Sequence, residues 1–494
     1  MPASAQPRMF RHRDDSAQLT LADVRRDIVG IDTPVPLLDG TRRPYVFLDN
    51  AASTPAFGRV LRCVQDFLPW YSGVHRGTGF KSVLATEVFD AAHDVVGRFV
   101  GADLSRNAVI FTKNTTECVN KLANRAGLRP DDIVITTLME HHSNDLPWRK
   151  HCTVIHVGVL EDGHLDLGQL RSALSHYRGR VRLVAVTGAS NITGLCSPIH
   201  DIAEWTHAAG ARLFVDAAQL APHRPVTMMP DDDPRHIDFL ALSAHKMYAP
   251  FGTGALVGPK QFFEQGEPDM VGGGVVDIVT LDHAHWNHPP HKEEAGTPNV
   301  LGGVAFAAAI GVLEAVGMET VARHETELLR YAYGKLRRMP GIVLYGPTEQ
   351  LDDKVGTITF NVEGKHNSLV AAILGVEGGI GVRNGCFCAH PYVKQLLKVT
   401  PEEDTALTGE VLAGNKSRMP GMVRASLGCY SNEDDVDALV SMLERVIRGD
   451  IRGTYVQDRS TGAYHAAGYD PDFLEYFQYH VPDIHGDRRP SEAS

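Results

Sequence analysis

Short apolar runs alternate with longer segments of helical periodicity over the first half of the chain. Apolar runs of about four to eight residues are typical of buried strands. The sequence places such runs at 45–48, 109–112, 133–136, 153–159, 181–186, 213–216 and 239–242. Strands that alternate with helices indicate an α/β fold, in which right-handed crossovers build a doubly wound, mostly parallel sheet.

Helical patterns cover residues 57–70 and 165–177, and Asn114 with Glu117 three residues later has the spacing of a helix capping box. Helical patterns then run from residue 301 to 338, and strands and helices alternate again from about 340 to 450. We predict four parts: an N-terminal arm at 1–44, a large domain at 45–310, a smaller α/β domain at 311–454 and a C-terminal extension at 455–494. The aromatic residues of the extension predict docking onto the body.

Composition narrows the class of protein. The chain has 494 residues, 43% of them hydrophobic, and a formal net charge of −12, which gives no electrostatic basis for binding nucleic acid or an anionic membrane. The first residues lack the apolar core of a signal peptide. Seven cysteines, an odd number in a long chain, do not predict a disulfide framework. We therefore expect a cytoplasmic protein.

Polar residues follow the predicted strands where the chain leaves the sheet. Lys246 comes just after the run at 239–242, and Asp216 ends the run before it. Ligands of open α/β sheets bind at the carboxyl ends of the strands. A lysine there can form a Schiff base with a carbonyl cofactor, provided that an acid tunes the cofactor. Lys246 alone has the alternative of being an ordinary surface lysine.

Further polar residues follow other strands of the same predicted sheet. Thr115 and Thr116 open the helix capped by Asn114, and a helix start with hydroxyl groups suits a phosphate. Asn191 follows the run at 181–186. His141 either stacks on a cofactor ring or is an ordinary hydrogen-bonded histidine, and the sequence leaves both open. Because parallel strands end at one rim, we expect these residues in one site.

The glycine-rich stretch at 73–82 does not match a nucleotide P-loop, because Phe80 separates Gly79 from Lys81 and no apolar strand leads into it. We predict a polar active-site loop with His75 and Arg76 as its reactive members. The alternative is a surface loop without a role in binding.

A second thiol-bearing loop lies in the predicted smaller domain. Cys386, Cys388 and His390 lack a fourth ligand for a closed zinc site, so no metal site is predicted. A reactive thiolate near Arg383 fits better, because positive charge lowers the pKa of a thiol. The alternative is a buried, inert cysteine.

Taken together, these motifs resemble the class V aminotransferase family of pyridoxal-phosphate (PLP) enzymes, from about residue 45 to 446. Within it, the chain is most similar to group II cysteine desulfurases and selenocysteine lyases. The resemblance implies the type I PLP-transferase fold, like that of aspartate aminotransferase. It also implies a homodimer.

The resemblance implies roles around the cofactor ring. Lys246 looks like the lysine that bonds to PLP, and Asp216 resembles the acid that binds the pyridine nitrogen. Gln219 resembles the partner of the ring oxygen, and His141 the histidine stacked on the ring.

The cofactor phosphate has its own set of implied ligands. Thr116, with Thr115 beside it, Ser243 and His245 resemble residues that bind the phosphate. Thr297 resembles a phosphate ligand supplied by the partner subunit.

The substrate side follows the same resemblance. Arg424 resembles the arginine that binds the amino-acid carboxylate, and Asn191 a second substrate ligand. Cys388 matches the cysteine that forms a persulfide, and Arg383 lies five residues before it. We add His75 as a substrate-binding residue.

The implied reaction removes sulfur from L-cysteine, which gives L-alanine and a persulfide on Cys388, with a sulfur-acceptor protein as a partner. A selenocysteine lyase and a PLP-dependent C–S β-lyase acting on a substituted cysteine are the alternatives, and a nucleotide-binding or scaffolding protein is the alternative outside these enzymes. Three departures from the family pattern stand out: Cys386, a long segment at 394–420 and the C-terminal extension. The segment at 394–420 is a candidate lid.

Overall fold

The computed structural model describes residues 19–479. The parts of the predicted arm and extension at 1–18 and 480–494 lie outside the described residues. The α-helices of the described part are α1 (Leu21–Asp27), α2 (Gly58–Phe67), α3 (Phe80–Phe99), α4 (Thr115–Arg125), α5 (Leu146–Arg149), α6 (Leu167–His176), α7 (Ile199–Ala208), α8 (Lys260–Glu264), α9 (Val300–Val316), α10 (Met318–Leu336), α11 (Asn367–Gly378), α12 (His390–Leu396), α13 (Pro401–Leu412) and α14 (Glu433–Arg448).

The strands form one large sheet, one smaller sheet and several two-stranded ribbons. They are β1 (Pro34–Pro36), β2 (Arg42–Pro44), β3 (Val46–Phe47), β4 (Asn107–Thr112), β5 (Ile133–Thr137), β6 (Thr153–Val157), β7 (Val181–Thr187), β8 (Arg212–Asp216), β9 (Phe239–Ser243), β10 (Gly254–Pro259), β11 (Val276–Val279), β12 (Ala284–Trp286), β13 (Ile342–Tyr345), β14 (Thr357–Val362), β15 (Ile380–Gly381), β16 (Arg383–Gly385), β17 (Met422–Ser426), β18 (Tyr455–Gln457) and β19 (Tyr464–Ala466).

The large sheet has seven strands in the order β4-β10-β9-β8-β7-β5-β6. The strands from β9 to β6 pair in parallel, and β10 runs antiparallel to both of its neighbours. Only residues 244–253 connect β9 to β10, which is shorter than the dozen or more residues that a parallel crossover needs. The predicted doubly wound, mostly parallel sheet is confirmed, with β10 as its antiparallel member.

Helices cover the sheet and bury its strands on both faces, which explains their near-continuous apolar runs. Helix α9 packs against α2 and α3, and a Cβ atom on Gly303 would lie 3.0 Å from the ring of Phe89. Phe306 and Ile310 of α9 are fully buried. The apolar run predicted from residue 301 is therefore a core helix.

The smaller layer is an antiparallel sheet in the order β13-β14-β17-β16. Helices α10, α11 and α14 pack with it around a second apolar core. Strand β3 pairs with β15 beside this layer, and Asp49 forms a bridge with Ser426 of β17. The chain thus passes from the smaller layer to the large sheet just after residue 49. The predicted domain limits at 44, 310 and 454 stay a prediction.

Two predicted elements end differently in the structure. The helix predicted at 57–70 ends at Phe67 and continues as a 3₁₀ turn, Leu68–Trp70, because Pro69 lacks an amide hydrogen for the α-helical ladder. The predicted loop at 73–82 ends earlier, because α3 begins at Phe80. The last three residues of that loop are therefore helical.

The C-terminal extension docks onto the body along its first part. The hydroxyl of Tyr455 donates to Glu377 at 3.1 Å, and the hydroxyl of Tyr469 donates to the Pro36 carbonyl at 2.9 Å. The side chain of Gln457 donates to the Ser417 carbonyl at 2.9 Å, within the long segment at 394–420. This segment contains α13, none of whose residues is buried.

Across residues 19–479, no single helix combines the length and the apolar composition needed to cross a lipid bilayer. Helices α9 and α10 meet both requirements only as a pair, which is bent by 72°.

Candidate active site

A cavity of about 260 Å³ lies at the carboxyl ends of β5, β7, β8 and β9. It is lined by twelve of the fourteen residues that the sequence predicts for the site: Thr115, Thr116, His141, Asn191, Asp216, Gln219, Ser243, His245, Lys246, Arg383, Cys388 and Arg424. The two that lie elsewhere are His75 and Thr297. Lining residues that the sequence reasoning did not select include Asn114, Ser143, Thr187 and Phe387.

Lys246 and Asp216 lie at neighbouring strand ends, as the sequence predicts. Lys246 closes a 3₁₀ turn directly after β9, and Asp216 is the last residue of β8. Burial lowers the pKa of Lys246 to about 8, although the Asp216 carboxylate opposes this. Burial raises the pKa of Asp216, against the hydrogen bond from the Ala218 amide at 3.0 Å and the charge of Lys246. The pair therefore combines a nucleophilic amine with a buried acid.

The N-terminus of α4 forms a polar cradle beside this pair. The Asn114 side chain caps the helix by accepting from the Glu117 amide at 3.0 Å. The amide of Thr115 donates to the Ser243 hydroxyl at 2.9 Å, and the two hydroxyls lie 2.8 Å apart. Amides and hydroxyls at a helix N-terminus suit an anion such as a phosphate.

His141 lines the same cavity as Lys246 and is fixed by Ser143. Its Nδ1 lies 2.9 Å from the Ser143 hydroxyl, which in turn lies 2.7 Å from the hydroxyl of Thr116. Burial and the positive charge of Lys246 lower the pKa of His141 to about 3. The imidazole is therefore neutral, which favours a stacking role over charge pairing.

A buried carboxyl group, Glu140, holds the segment that carries His141. Its carboxyl oxygens accept from the Thr187 amide at 2.9 Å and from the Asn144 side chain at 2.6 Å. Burial raises the pKa of Glu140 to about 8. Glu140 thus ties the end of β5 to the end of β7. The sequence offers one signal for it, its position beside His141 at a strand end.

Two buried polar atoms in the cavity have no hydrogen-bond partner in the described part of the chain: Oε1 of Gln219 and Nε of Arg424. Gln219 uses its amide nitrogen to donate to the Ala51 carbonyl at 2.6 Å, so its oxygen remains available for a ligand. Leaving such atoms buried without a partner costs about 1–3 kcal/mol each. Both atoms fit a site completed by a bound polar molecule.

Arg424 of β17 reaches the cavity from the smaller layer. Its guanidinium donates to the Asn191 carbonyl at 2.9 Å and to Asp49 at 3.1 Å, and it lies 4.9 Å from the ring centroid of Phe387. Burial lowers the pKa of Arg424 to about 10, still charged at neutral pH. A buried, charged fork of this kind suits a carboxylate.

Asp49 is a site residue that the sequence reasoning missed. It pairs with Arg383 at 2.8 Å as well as with Arg424 at 3.1 Å. Arg383 and Arg424 are direct cross-strand partners on β16 and β17, so their like charges would repel without this carboxylate. The feature of the sequence that could have identified Asp49 is its position just after the strand predicted at 45–48.

Cys388 lies on a tight, anchored loop. Phe387 and Cys388 both have positive φ values, 49° and 55°, which is strained for residues other than glycine. The side chain of Asn191 donates to the Phe387 carbonyl at 2.8 Å, and the His142 amide donates to the Cys388 carbonyl at 2.7 Å. These bonds hold the exposed Cys388 at the cavity rim against the strain.

Cys386 has different surroundings, although it lies only two residues earlier. It is buried, and its thiol donates to the Pro420 carbonyl at 3.0 Å. Burial raises the pKa of Cys386 to about 11. The thiol is therefore protonated at neutral pH and lies outside the cavity lining.

His75 and Thr297 line a second pocket of about 370 Å³, together with Arg76, His291 and Glu294. Within one chain they do not contribute to the cavity that holds Lys246. The roles predicted for His75 and Thr297 therefore stay predictions that depend on a second copy of the chain.

A family model described as aminotransferase class-V matches residues 46–439. The chain belongs to this family. A relative named probable cysteine desulfurase from Halalkalibacterium halodurans is 35% identical over 411 residues, 81% of this chain and 93% of that protein. A cysteine desulfurase from Haloferax volcanii is 35% identical over 423 residues, 84% of this chain and 92% of that protein. The family predicted from the motifs is confirmed.

Solved structures of class-V family members have the same fold. A cysteine desulfurase from Thermococcus onnurineus NA1 matches with a TM-score of 0.74 and 31% identity, covering 86% of this chain and 98% of that one. The cysteine desulfurase CsdA from Escherichia coli matches with a TM-score of 0.71 and 28% identity, covering 87% and 99%. These matches confirm the predicted α/β fold of type I PLP-transferases.

Proposed function

We propose that this class-V family member is a PLP-dependent cysteine desulfurase. It takes sulfur from L-cysteine, releases L-alanine and keeps the sulfur as a persulfide on Cys388. The observation that carries the proposal is that Lys246, Asp216, Arg424 and Cys388 line a single cavity. Relatives at 33–35% identity that are named cysteine desulfurases support it.

PLP fits the polar groups of this cavity. Lys246 provides the amine, Asp216 a buried acid for the ring nitrogen, and the free oxygen of Gln219 a hydrogen-bond partner for the ring. The Thr115–Ser243 cradle at the start of α4 provides donors for the phosphate. When bound, PLP supplies the electron sink that stabilises negative charge at the substrate Cα.

Arg424 positions the substrate. Its buried Nε atom has no partner within residues 19–479, and its guanidinium is held by Asp49 and the Asn191 carbonyl. The carboxylate of L-cysteine binds to this fork, and the Asn191 side chain lies beside it. Orientation by a bidentate arginine brings the substrate sulfur toward the loop of Cys388.

Lys246 moves the proton at the substrate Cα. With its pKa lowered to about 8, a substantial part of the Nζ population is neutral near pH 7 to 8, so the amine can accept a proton. The neutral His141 adds no positive charge above the site.

In the transfer step, the sulfur of L-cysteine moves to the thiol of Cys388. The Cys388 thiolate attacks the sulfur of L-cysteine and forms an S–S bond while the substrate Cβ–S bond breaks. The electron pair of the broken bond stays with Cβ, which takes up a proton to give L-alanine. A thiolate of a sulfur-acceptor protein then attacks the outer sulfur of the persulfide, the S–S bond breaks, and the Cys388 thiolate is restored. The exposure of Cys388 at the rim supports that access.

A homodimer supplies the remaining predicted residues. Thr297 and His75 lie in a pocket away from the cavity of their own chain, so we infer that they complete the cavity of a second copy. The seven cysteines are unpaired, which suits a chemistry that needs a free thiol. We place the protein in a reducing compartment such as the cytoplasm.

The test compares Cys388→Ser with Cys386→Ser, a matched change two residues away. Purified holoenzyme is incubated with L-cysteine, alanine and pyruvate are quantified, and intact mass shows whether one sulfur atom has been added. We expect Cys388→Ser to lose the added sulfur and at least about 100-fold of the alanine-forming rate. Cys386→Ser keeps both, because its thiol is buried and bonded to Pro420.

Other results would redirect the proposal. Pyruvate release that survives Cys388→Ser indicates a C–S β-lyase, because β-elimination needs only the cofactor and a base. A much higher kcat/KM with L-selenocysteine than with L-cysteine indicates a selenocysteine lyase. A preparation without the visible absorbance of bound PLP contradicts the cofactor.

A further inference from the structure

Outside the Lys246 cavity, two imidazoles and a carboxylate converge in the second pocket. The ring centroids of His75 and His291 lie 4.1 Å apart, and Nε2 of His75 lies 3.1 Å from Asp90. One ligand atom from each of these three residues lies within 4.8 Å of the other two. The residues come from a loop, from α3 and from the 3₁₀ turn His291–Glu293. They form the His75–Asp90–His291 cluster.

Unpartnered atoms in this pocket point to a missing ligand. Nδ1 of His291 and Oε2 of Glu294 are buried and have no hydrogen-bond partner within residues 19–479. The Glu294 side chain is only 3% exposed and lines the same pocket as His75 and His291. A buried carboxylate oxygen without a donor is costly unless a cation or donor reaches it.

The hydrogen bonds of Glu294 leave one of its carboxylate oxygens open. Oε1 accepts from the Phe111 amide at 2.6 Å and lies 2.9 Å from Nε2 of His93. Oε2 has no hydrogen-bond partner within residues 19–479.

A second cluster of two histidines and an aspartate in the same molecule has different hydrogen bonding. His207, His236 and Asp238 also lie close enough to share an ion. There, both ring nitrogens of His207 are occupied, by the Pro234 carbonyl at 2.7 Å and by Asp238 at 2.9 Å. The ring nitrogens of His207 therefore already have hydrogen-bond partners. In the His75–Asp90–His291 cluster, by contrast, the buried Nδ1 of His291 has no partner within residues 19–479.

We propose that His75, His291 and Asp90 bind a divalent transition-metal ion, with Zn²⁺ the best match. Two histidines and one carboxylate form a common zinc ligand set with an open fourth position. Zinc bonds of about 2.0–2.2 Å place neighbouring ligands about 3.3 Å apart, so small side-chain rotations close the cluster. The sequence reasoning weighed a metal only at Cys386, Cys388 and His390, because His75, Asp90 and His291 are far apart in the chain.

Metal binding would fix the loop at 73–79 against α3. This loop carries His75 and Arg76, and the same pocket holds Thr297. The bound ion therefore stabilises the surface that faces the partner's cavity in the proposed dimer. Binding itself depends only on the three ligands and stands whether or not the desulfurase activity does.

The experiment measures zinc on the holoenzyme. Protein stripped with a chelator is titrated with Zn²⁺ against a competing fluorescent indicator, and bound metal is counted by mass spectrometry after desalting. We expect about one Zn²⁺ per chain, with affinity lowered at least tenfold in His291→Ala and in Asp90→Asn. Asp90→Asn keeps the side-chain shape, so it reports on the ligand even if His291→Ala folds poorly.

Two controls separate this cluster from other zinc ligands. His176→Ala removes an exposed histidine on α6 and keeps the wild-type stoichiometry and affinity. Cys388→Ser tests the competing set at the cavity rim, where the rings of His142 and His390 lie 4.7 Å apart. Zinc that persists in both cluster variants, or that is lost in Cys388→Ser alone, overturns the proposal. Failure of wild-type holoenzyme to retain zinc also overturns it.

Discussion

Lys246 shows how one residue obtains its chemistry from its surroundings. Burial lowers its pKa to about 8, with Asp216 opposing and Arg424 assisting the shift. An ordinary lysine has a pKa of about 10.4 and is almost entirely protonated at neutral pH. The shift multiplies the neutral, nucleophilic fraction by roughly 200-fold near pH 7. The position after β9 is readable in the sequence, but the shift depends on packing from both layers.

This shift predicts the pH dependence of cofactor capture. Because only the neutral amine attacks an aldehyde, the rate of PLP binding to cofactor-free protein should rise about tenfold per pH unit and level off near pH 8. Stopped-flow absorbance after mixing with PLP measures this rate. Free N-acetyl-lysine methylamide is the control, and its rate should keep rising to about pH 10. A protein rate that also rises beyond about pH 9 contradicts the lowered pKa.

The residues predicted from strand ends reached the cavity, as did Arg424, Arg383 and Cys388 of the smaller layer, whose roles the family resemblance implied. Asp216, Asn191 and Lys246 follow parallel strands, whose common rim is a rule of the fold. Asp49 was missed because β3 pairs with β15 beside the smaller layer, a pairing that no local pattern encodes. Thr297 lies in a different pocket of its own chain, where intrachain reasoning cannot assign a role.

Among the elements, β10 illustrates the limit of local patterns. Its apolar run resembles those of β8 and β9, yet it enters the sheet antiparallel. The short connection after β9 decides the direction, and strand periodicity does not. By contrast, the start of α4 was predictable, because the Asn114 cap is a local interaction between residues three apart.

Helix α13, within the candidate lid at 394–420, is held by its end rather than by a core. None of its residues is buried, and Thr400 and Glu403 form a capping box with bonds of 3.2 and 2.9 Å. Thr400→Ala should therefore cost about 1 kcal/mol of local helix stability and raise amide exchange over 401–412 about fivefold. Thr405→Ala, the same change inside the helix, should leave exchange unchanged or slower. Equal protection in both variants would show that the cap does not hold the helix.

Asp238 joins α7 to the start of β9. It lies 2.9 Å from His207, 3.6 Å from His236 and accepts from the Leu213 amide at 2.8 Å. Burial raises its pKa, but the bonds from His207 and His236 outweigh this and lower the pKa of Asp238 to about 2. A carboxyl group with a lowered pKa stabilises the fold above its unfolded pKa, and the effect is lost as pH falls through the folded pKa.

Asp238→Asn should therefore destabilise the protein by about 2 kcal/mol near pH 6, and the difference should shrink as pH falls from about 4 to 2. Denaturant unfolding of wild type and variant at several pH values measures it. Asp201→Asn, the same change at an exposed position of α7, is the control and should have little effect. A deficit that does not change with pH would mean that charge pairing is not its cause.

At the scale of the whole molecule, the site exists because two layers meet. The large sheet supplies the lysine, the acid and the phosphate cradle, and the smaller layer supplies Arg424, Arg383 and the loop of Cys388. Asp49 lies at the crossing of the chain between the layers and binds arginines of the smaller one. A shift of one layer against the other would therefore separate the cofactor groups from the substrate and sulfur groups.

The β11–β12 hairpin projects apolar side chains from this body. Leu281 at its tip is fully exposed, and Ile278 and Val279 are 58% and 62% exposed. Met270 and Val271, which precede the hairpin in the chain, are also exposed. Surfaces of this kind on a folded protein are typical of interfaces. Arg76 ties the hairpin to the pocket of Thr297 by donating to the Val276 carbonyl at 3.3 Å.

If the hairpin lies in the homodimer interface, Leu281→Arg should weaken the dimer, because it places a charge in an apolar contact. Sedimentation velocity at low micromolar concentration should show monomer in the variant, and PLP affinity should fall because Thr297 no longer reaches a second chain. Leu412→Arg is the matched control: Leu412 is 83% exposed on α13, and the same change there should leave the dimer intact. A dimer that resists Leu281→Arg would show that the hairpin does not lie in the interface.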